Sequence, residues 1–402
     1  MAKKQYREQN VFDAANERIA YSFDKFEKLY VSFSGGKDSS VMMHLVLNEA
    51  RRRNRKVGVL IIDLEAQYKA TEIHLDEMVA EYADCMDLHW VCLPLNLRNA
   101  VTNYEPKWLC WDPDKKDIWV RTPPKEAIVD PEFYPFFQPG MEFEEFVVLF
   151  GEWYGEGKLC GGFVGIRADE SLNRFRTIAV FDKQMLENKR YTTHIVENTF
   201  NIYPIYDWKT QDIWRYHAKF PNKAHNHVYD LMQQAGVPLS QQRLCQPYGD
   251  DQRKGLWLYH ILEPETWFKL IARVNGANSG ALYMKETGNM TGYNKIALPA
   301  GHDWKSFCHL LLMSLPAPTR KHYIDRFQSW IKGWRGRGYS QIPNEAPKIL
   351  EDQHWAPSYR RLCKVLLRND WWCKGLGLTQ PKSDAYGRWL EIKSEKKKAQ
   401  LT

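Results

Sequence analysis

The sequence predicts an α/β fold, a doubly wound and mostly parallel sheet, continued by a mainly helical C-terminal domain. Three observations carry this. Short apolar runs alternate with segments of helical period through the first quarter of the chain, the order that builds parallel strands joined by crossover helices. The first run opens into a Gly-Gly pair directly before a helical pattern. Beyond Gly236, helical patterns broken by Gly and Pro never give way to sustained strand alternation.

In chain order, Val11, Ala14, Ala15, Ile19, Phe23 and Phe26 recur at helical spacing and predict an amphipathic lead-in helix. Residues 29–33 (LYVSF) predict a buried strand, and residues 41–53 a helix whose closing arginines suit its negative end. Residues 57–64 (VGVLIIDL) form the continuous apolar run of a strand buried on both faces. A helix near 70–82 and a strand near 88–93 extend the series, with right-handed crossovers expected. Residues 106–139, rich in Trp, Pro and Asp and without a clear period, read as an inserted loop or lid. Strands near 163–166 and 201–205 and a helix at 212–220 complete a first domain, and a chain of 402 residues divides as 1–235 and 236–402.

The chemistry starts at Ser34, Gly35, Gly36, Lys37, Asp38 and Ser39, between predicted strand and predicted helix. Two glycines let backbone N–H groups approach an anion, the helix presents its positive end, and Lys37, Ser34 and Ser39 add donors. The spacing is not that of the common nucleotide-triphosphate loop G-x-x-x-x-G-K-[ST], yet a mononucleotide phosphate is the natural ligand; the bland alternative is a tight turn. Asp38 is costly beside phosphates unless Mg²⁺ or a nearby Arg relieves it. Asp63 ends the second strand, where it either meets a ribose or Mg²⁺ or makes an Asx turn. His225-Asn226-His227 has no matching Cys/His pair at ligand spacing and reads as structural.

Composition excludes several classes. No run approaches the roughly 20 apolar residues a spanning helix needs, the N-terminal residues lack an apolar signal core, and eight scattered Cys without a Cys-x-x-Cys pair fit reduced thiols in a cytoplasm, with no iron–sulfur cluster indicated. The net charge is +7, and residues 331–402 alone hold 15 Lys/Arg against 7 Asp/Glu. That segment, with Trp330 just before it, interleaves Trp334, Trp355, Trp371 and Trp372 with Arg335, Arg337, Arg360, Arg361 and Arg368, a pattern for DNA or RNA or, equally, a helical core with a solvated face.

Loop 34–39 resembles the pyrophosphatase (PP) loop of the adenine nucleotide alpha hydrolase superfamily. Gly165-Ile166-Arg167-Ala168-Asp169-Glu170-Ser171-Leu172-Asn173-Arg174 is similar to the G-x-R-x-x-E-S-x-x-R signature of its phosphoadenosine phosphosulfate (PAPS) reductase branch, and Pro204-Ile205-Tyr206-Asp207-Trp208 with Asp212-Ile213-Trp214 to a further stretch of that branch. The resemblance implies a HUP-like sheet, ATP or PAPS as ligand with Mg²⁺, and a site of Ser34, Gly35, Gly36, Lys37, Asp38, Ser39, Asp63, Arg167, Ser171 and Arg174, in which Lys37, Asp38, Arg167 and Arg174 take the catalytic roles. Arg167 and Arg174 are forked donors suited to phosphate or sulfate, or else partners of Asp169 and Glu170. The reductases' nucleophilic Cys in a Glu-Cys-Gly-[IL]-His setting is missing; Cys245 and Cys373 are the candidate thiols. Segments after Gly236 resemble the C-terminal domain of proteins like the immunoglobulin-binding regulator A, which implies an alternative role: nucleotide sensing with a ParB-like partner or DNA, without turnover.

Overall fold

The computed structural model describes residues 8–179, 183–239, 241–250, 256–277 and 298–378. Helix α1 (Val11–Lys25) leads into β1 (Lys28–Ser32), α2 (Lys37–Arg52), β2 (Val57–Ile62), α3 (Lys69–Tyr82) and β3 (Met86–Val91). After an insertion come α4 (Phe143–Gly155), β6 (Cys160–Val164), α5 (Leu172–Ala179), β7 (Thr192–Val196), β8 (Thr199–Ile202), α6 (Thr210–Lys219) and α7 (Val228–Gln234). The sheet runs β3-β2-β1-β6-β8-β7, parallel throughout except for the antiparallel edge strand β7. This is the expected doubly wound sheet with helices on its faces.

Two departures from the sequence expectation have clear causes. Helix α2 starts at Lys37, not at residue 41, because Gly36 takes the extended cap conformation (φ −76°, ψ 156°); Lys37, Asp38 and Ser39 form a polar first turn, which carries no apolar period. Strand β6 includes Gly161 and Gly162, which hydropathy does not mark as strand. A Cβ at Gly162 would lie 2.5 Å from Tyr30 Cζ, and one at Gly161 2.6 Å from Ile202 Cδ1, so the buried side chains of neighbouring strands require glycine here.

The chain forms two compact units. The first takes the described residues up to Asn96 and Leu109–Leu244, past the expected close near 235; the second takes Leu97–Trp108 and the described residues from Cys245 to 378. Strands β4 (Asn96–Arg98) and β5 (Lys107–Leu109) pair along the excursion of the chain between these segments. The second unit is helical, with α8 (Leu256–Leu262), α9 (Pro264–Arg273), α10 (Trp304–Met313), α11 (Ala317–Arg335), α12 (Lys348–Asp352) and α13 (Tyr359–Leu367). Trp304, Tyr323, Phe327, Trp330, Trp334 and Trp371 share its apolar core. Among the described residues, no helix is long and apolar enough to cross a membrane.

Candidate functional site

The strand order reverses direction on the two sides of β1, so the crevice between the carboxyl ends of β1 and β6 is the topological switch point, where open α/β sheets bind ligands. The pairing register sets Ser32 level with Val164. Loop 34–36 leaves one strand and Gly165-Ile166-Arg167 leaves the next, side by side. Gly165 is glycine because a Cβ there would stand 3.0 Å from both Cα and N of Ser39; the two motifs touch backbone to backbone.

Gly35 adopts φ +68°, which favours glycine, and a Cβ on it would meet Thr71 Cγ2 at 3.0 Å. Its carbonyl accepts from Asn226 Nδ2 at 2.9 Å, and the same amide donates to Thr71 Oγ1 at 3.0 Å. Ser39 Oγ and Ser40 Oγ both donate to Gly36 O at 2.9 Å, and Ser34 Oγ lies 3.0 Å from Ser39 Oγ. The Lys37 N–H donates to Tyr229 Oη at 3.1 Å, while Lys37 Nζ donates to Gln242 O at 3.2 Å and sits 5.1 Å from the Tyr229 ring centroid. Beneath the loop, Ser40 Oγ and His74 Nε2 are 2.7 Å apart; burial pushes the His74 imidazole down to about 3, so it is neutral there at physiological pH.

Asp38 meets a local arginine. Arg167 Nε donates to Asp38 Oδ1 at 2.5 Å, and Lys37 Nζ stands 3.5 Å from Oδ2. Both carboxylate oxygens thus face cations, and the loop offers no second carboxylate. A resident Mg²⁺ needs hard oxygen ligands with charge to spare, so these residues do not fit one. Arg167 is 3% exposed, and among the described residues none accepts from its two Nη atoms, which leaves the end of the fork for an anion.

The remaining predicted residues sit differently. Ser171 caps α5 by accepting from the Arg174 N–H at 3.2 Å, and Arg174 is exposed and pairs with Glu170 at 3.2 Å, the surface pairing weighed against phosphate binding. The Pro204–Trp208 stretch fastens α1: Arg18 donates to Pro204 O and grips Asp207, and Trp208 Nε1 donates to Val11 O. Trp214 packs edge-on against Tyr229. Asn226, Tyr229, His74 and Gln242 were not predicted for this site. The first two lie about 190 residues from the loop they hold, and nothing in local spacing announces such a contact.

Asp63 makes the Asx turn, accepting from the Glu65 N–H at 3.0 Å, and also accepts from Trp90 Nε1 at 2.9 Å and pairs with Arg121. It is 1% exposed and its carboxylate is fully engaged, which takes it away from a ribose or Mg²⁺. Arg121 belongs to the insertion, which has further ties to the same corner. Glu65 accepts from the backbone N–H groups of Trp111 at 2.7 Å and Val120 at 3.1 Å, and Trp111 Nε1 donates to Asp63 O at 2.6 Å. The part from Leu109 onward is pinned to the end of β2. Replacing Glu65 by Ala strands two buried N–H groups at about 1–3 kcal/mol each; we expect unfolding at lower urea and early proteolytic cuts between residues 110 and 139.

The two candidate thiols differ. Cys373 is buried, and desolvation pushes it up to about 12, far from a thiolate at neutral pH. Cys245 is exposed. In the basic segment, Trp330, Trp334 and Trp371 are core and unavailable for stacking on bases; Trp355 is exposed, and Arg360 is held by Glu345 and Glu351. The Lys cluster near residues 396–398 lies outside the described residues.

Residues 28–127 match the phosphoadenosine phosphosulfate reductase domain family, and residues 236–356 match a domain of unknown function, DUF3440. The chain is 42% identical over 388 residues, covering 95% of itself and 94% of the relative, to "Uncharacterized protein YbdN" of Escherichia coli (strain K12). The chain belongs to the YbdN family. The alignment with that relative runs along nearly the whole chain. Among solved structures, the chain is similar to PAPS reductase from Candida auris (13% identity, 57% of this chain and 94% of that one, TM-score 0.31) and to NMN synthetase from Francisella tularensis (11%, 73% and 100%, TM-score 0.30).

Proposed function

We propose that this YbdN-family chain binds an adenine nucleotide on loop 34–39 and cleaves ATP at its α-phosphorus. The observation that carries the reading is the meeting of two motifs at the switch point, with Gly165 against Ser39 and Arg167 on Asp38. In the first turn of α2 the N–H groups of Asp38 and Ser39 lack intrahelical partners and are available to an anion, while that of Lys37 goes to Tyr229 Oη. Lys37 Nζ and the Nη end of Arg167 neutralise charge that builds on the departing pyrophosphate. An oxygen or sulfur nucleophile forms its bond to the α-phosphorus as the bridging oxygen to the β-phosphorus leaves with the electron pair; Mg²⁺ enters with ATP as its counter-ion.

ATP is favoured over PAPS by the thiols. Cleaving PAPS at sulfur needs a thiolate, and Cys85, Cys92, Cys110, Cys160, Cys308, Cys363 and Cys373 are all buried. Calorimetric titration with Mg²⁺–ATP and, separately, with PAPS tests this. We expect ATP to bind, pyrophosphate to be released, and Lys37→Ala to weaken binding roughly ten- to hundredfold, the worth of a charge-assisted contact. PAPS bound in preference, with turnover lost in Cys245→Ser, would move the reaction to sulfur transfer; binding of neither would end the phosphate-loop reading.

A further inference from the structure

We propose a second site on the same unit: His225, His227 and Asp230 bind a transition-metal dication of the zinc class. The segment that joins α6 to α7 folds so that His225 Nε2 and His227 Nδ1 both lie 2.9 Å from one oxygen, Asp230 Oδ2, and one ligand atom from each residue falls within 4.8 Å of the others. Ligands on a tetrahedral zinc, at 2.0–2.2 Å from the metal, stand about 3.4 Å apart. Each histidine nitrogen therefore needs to move about 0.5 Å from Asp230 Oδ2 to reach that spacing, with the two nitrogens already within 4.8 Å of one another. Two imidazoles and one carboxylate are the donor set of zinc, cobalt or nickel, and a poor one for Mg²⁺ or Ca²⁺.

A second observation points the same way. His217, on the last turn of α6, has its ring 5.5 Å from that of His225, and both of its nitrogens are sealed from solvent with no hydrogen-bond partner among the described residues. A half-buried imidazole whose two nitrogens are both out of solvent and unused is unusual. It stands where a fourth ligand, or an outer partner for His225, belongs. Sequence spacing lacked this: His225 and His227 alone make no site, and Asp230 and His217 join them only through the fold.

The placement gives the metal a consequence. Asn226, between the two histidines, holds Gly35 O, and Tyr229, next to Asp230, receives the Lys37 N–H. An ion on His225, His227 and Asp230 clamps the segment that props the phosphate loop. That coupling rests on the function proposed above; the metal site does not.

The test uses the full chain, dialysed against a chelator, with no nucleotide present, and titrated with Co²⁺ as a visible probe and then with Zn²⁺. The expected result is one equivalent of Co²⁺ with the intense d–d absorption of a four- or five-coordinate ion, displaced by Zn²⁺, and a higher melting temperature with Zn²⁺. Asp230→Asn and His227→Gln should each weaken binding about tenfold or more, while His260→Gln, an exposed histidine on α8, changes nothing. Circular dichroism confirms that each variant is folded. Co²⁺ binding no tighter than about millimolar, or equal spectra and affinities in the wild type and a folded His225→Gln/Asp230→Asn double variant, overturns the proposal. Either result leaves nucleotide binding to be judged by its own titration.

Discussion

Arg167→Met is expected to lower the free energy of unfolding by about 3 kcal/mol, the lower end of what breaking a buried ion pair costs. The guanidinium is 3% exposed and the Asp38 side chain 12%. Removing one partner leaves a carboxylate in a water-poor crevice. Lys37 Nζ at 3.5 Å remains to offset part of the charge, which keeps the loss at the low end. Adding Asp38→Asn should recover most of it, because the double variant no longer holds an unpaired charge. Urea unfolding of the two single variants and the double variant measures the coupling directly. A single Arg167→Met variant within about 0.5 kcal/mol of the wild type, the range of ordinary surface changes, would show that the pair does not hold the crevice together. The same variant loses the forked donor, so nucleotide affinity should fall with stability.

Gly36→Ala separates binding from folding. Gly36 has φ −76°, a conformation open to any residue, and an added Cβ would meet Ser34 Oγ at 3.4 Å, Tyr229 Oη at 3.5 Å and Ser39 Oγ at 3.7 Å. These are ordinary contacts, and the poorer N-cap that Ala makes is offset by the smaller freedom it has in the unfolded chain, so stability should change by no more than about 1 kcal/mol. The methyl group nevertheless fills the space on which the three hydroxyls converge, where a phosphate oxygen would sit. We expect nucleotide affinity to drop by roughly a hundredfold or more, about 3 kcal/mol for losing close anion contacts. Calorimetry paired with thermal melting distinguishes this from Gly35→Ala, which adds left-handed backbone strain of about 1–2 kcal/mol and should melt earlier. Unimpaired nucleotide binding by Gly36→Ala would place the anion elsewhere.

Much of the first unit was legible in the sequence because its central strands are continuous apolar runs and its helices amphipathic. Strand β2 and helix α1 follow hydropathy closely. What escaped is instructive. Strand β6 is written partly in glycine, and the need for glycine arises from the Tyr30 ring on the next strand, which no local window contains. The β7–β8 hairpin is short and polar at its edge, so only part of it was foreseen. Helix α4, bounded by a capping box at Glu142 and Glu145, went unread beside the Trp- and Pro-rich insertion. At the site, the motifs located the loop and Arg167, but residue type alone could not decide which carboxylates would already be taken. Of the two roles open to each, Asp63 takes the Asx turn, with Trp90 and Arg121 on its carboxylate, and Asp38 takes the arginine.

The excursion of residues 97–108 into the second unit has a consequence for how the chain is made. Asn369 Nδ2 donates to Ala100 O and Thr102 O, and Thr319 Oγ1 to Asn103 O, across 269, 267 and 216 residues of sequence. Those carbonyls leave the ribosome long before their partners exist. At about 5–20 residues per second, Ala100 waits roughly 13 to 54 s for Asn369. During that interval the sheet can close around a looped-out strip bearing Leu97, Val101 and Trp108, residues that end up buried. The strip is therefore covered in stages, first by Tyr248 and Arg273 against Trp108 and only later by Thr319 and Asn369 on its carbonyls, and until then it is a target for chaperones and proteases.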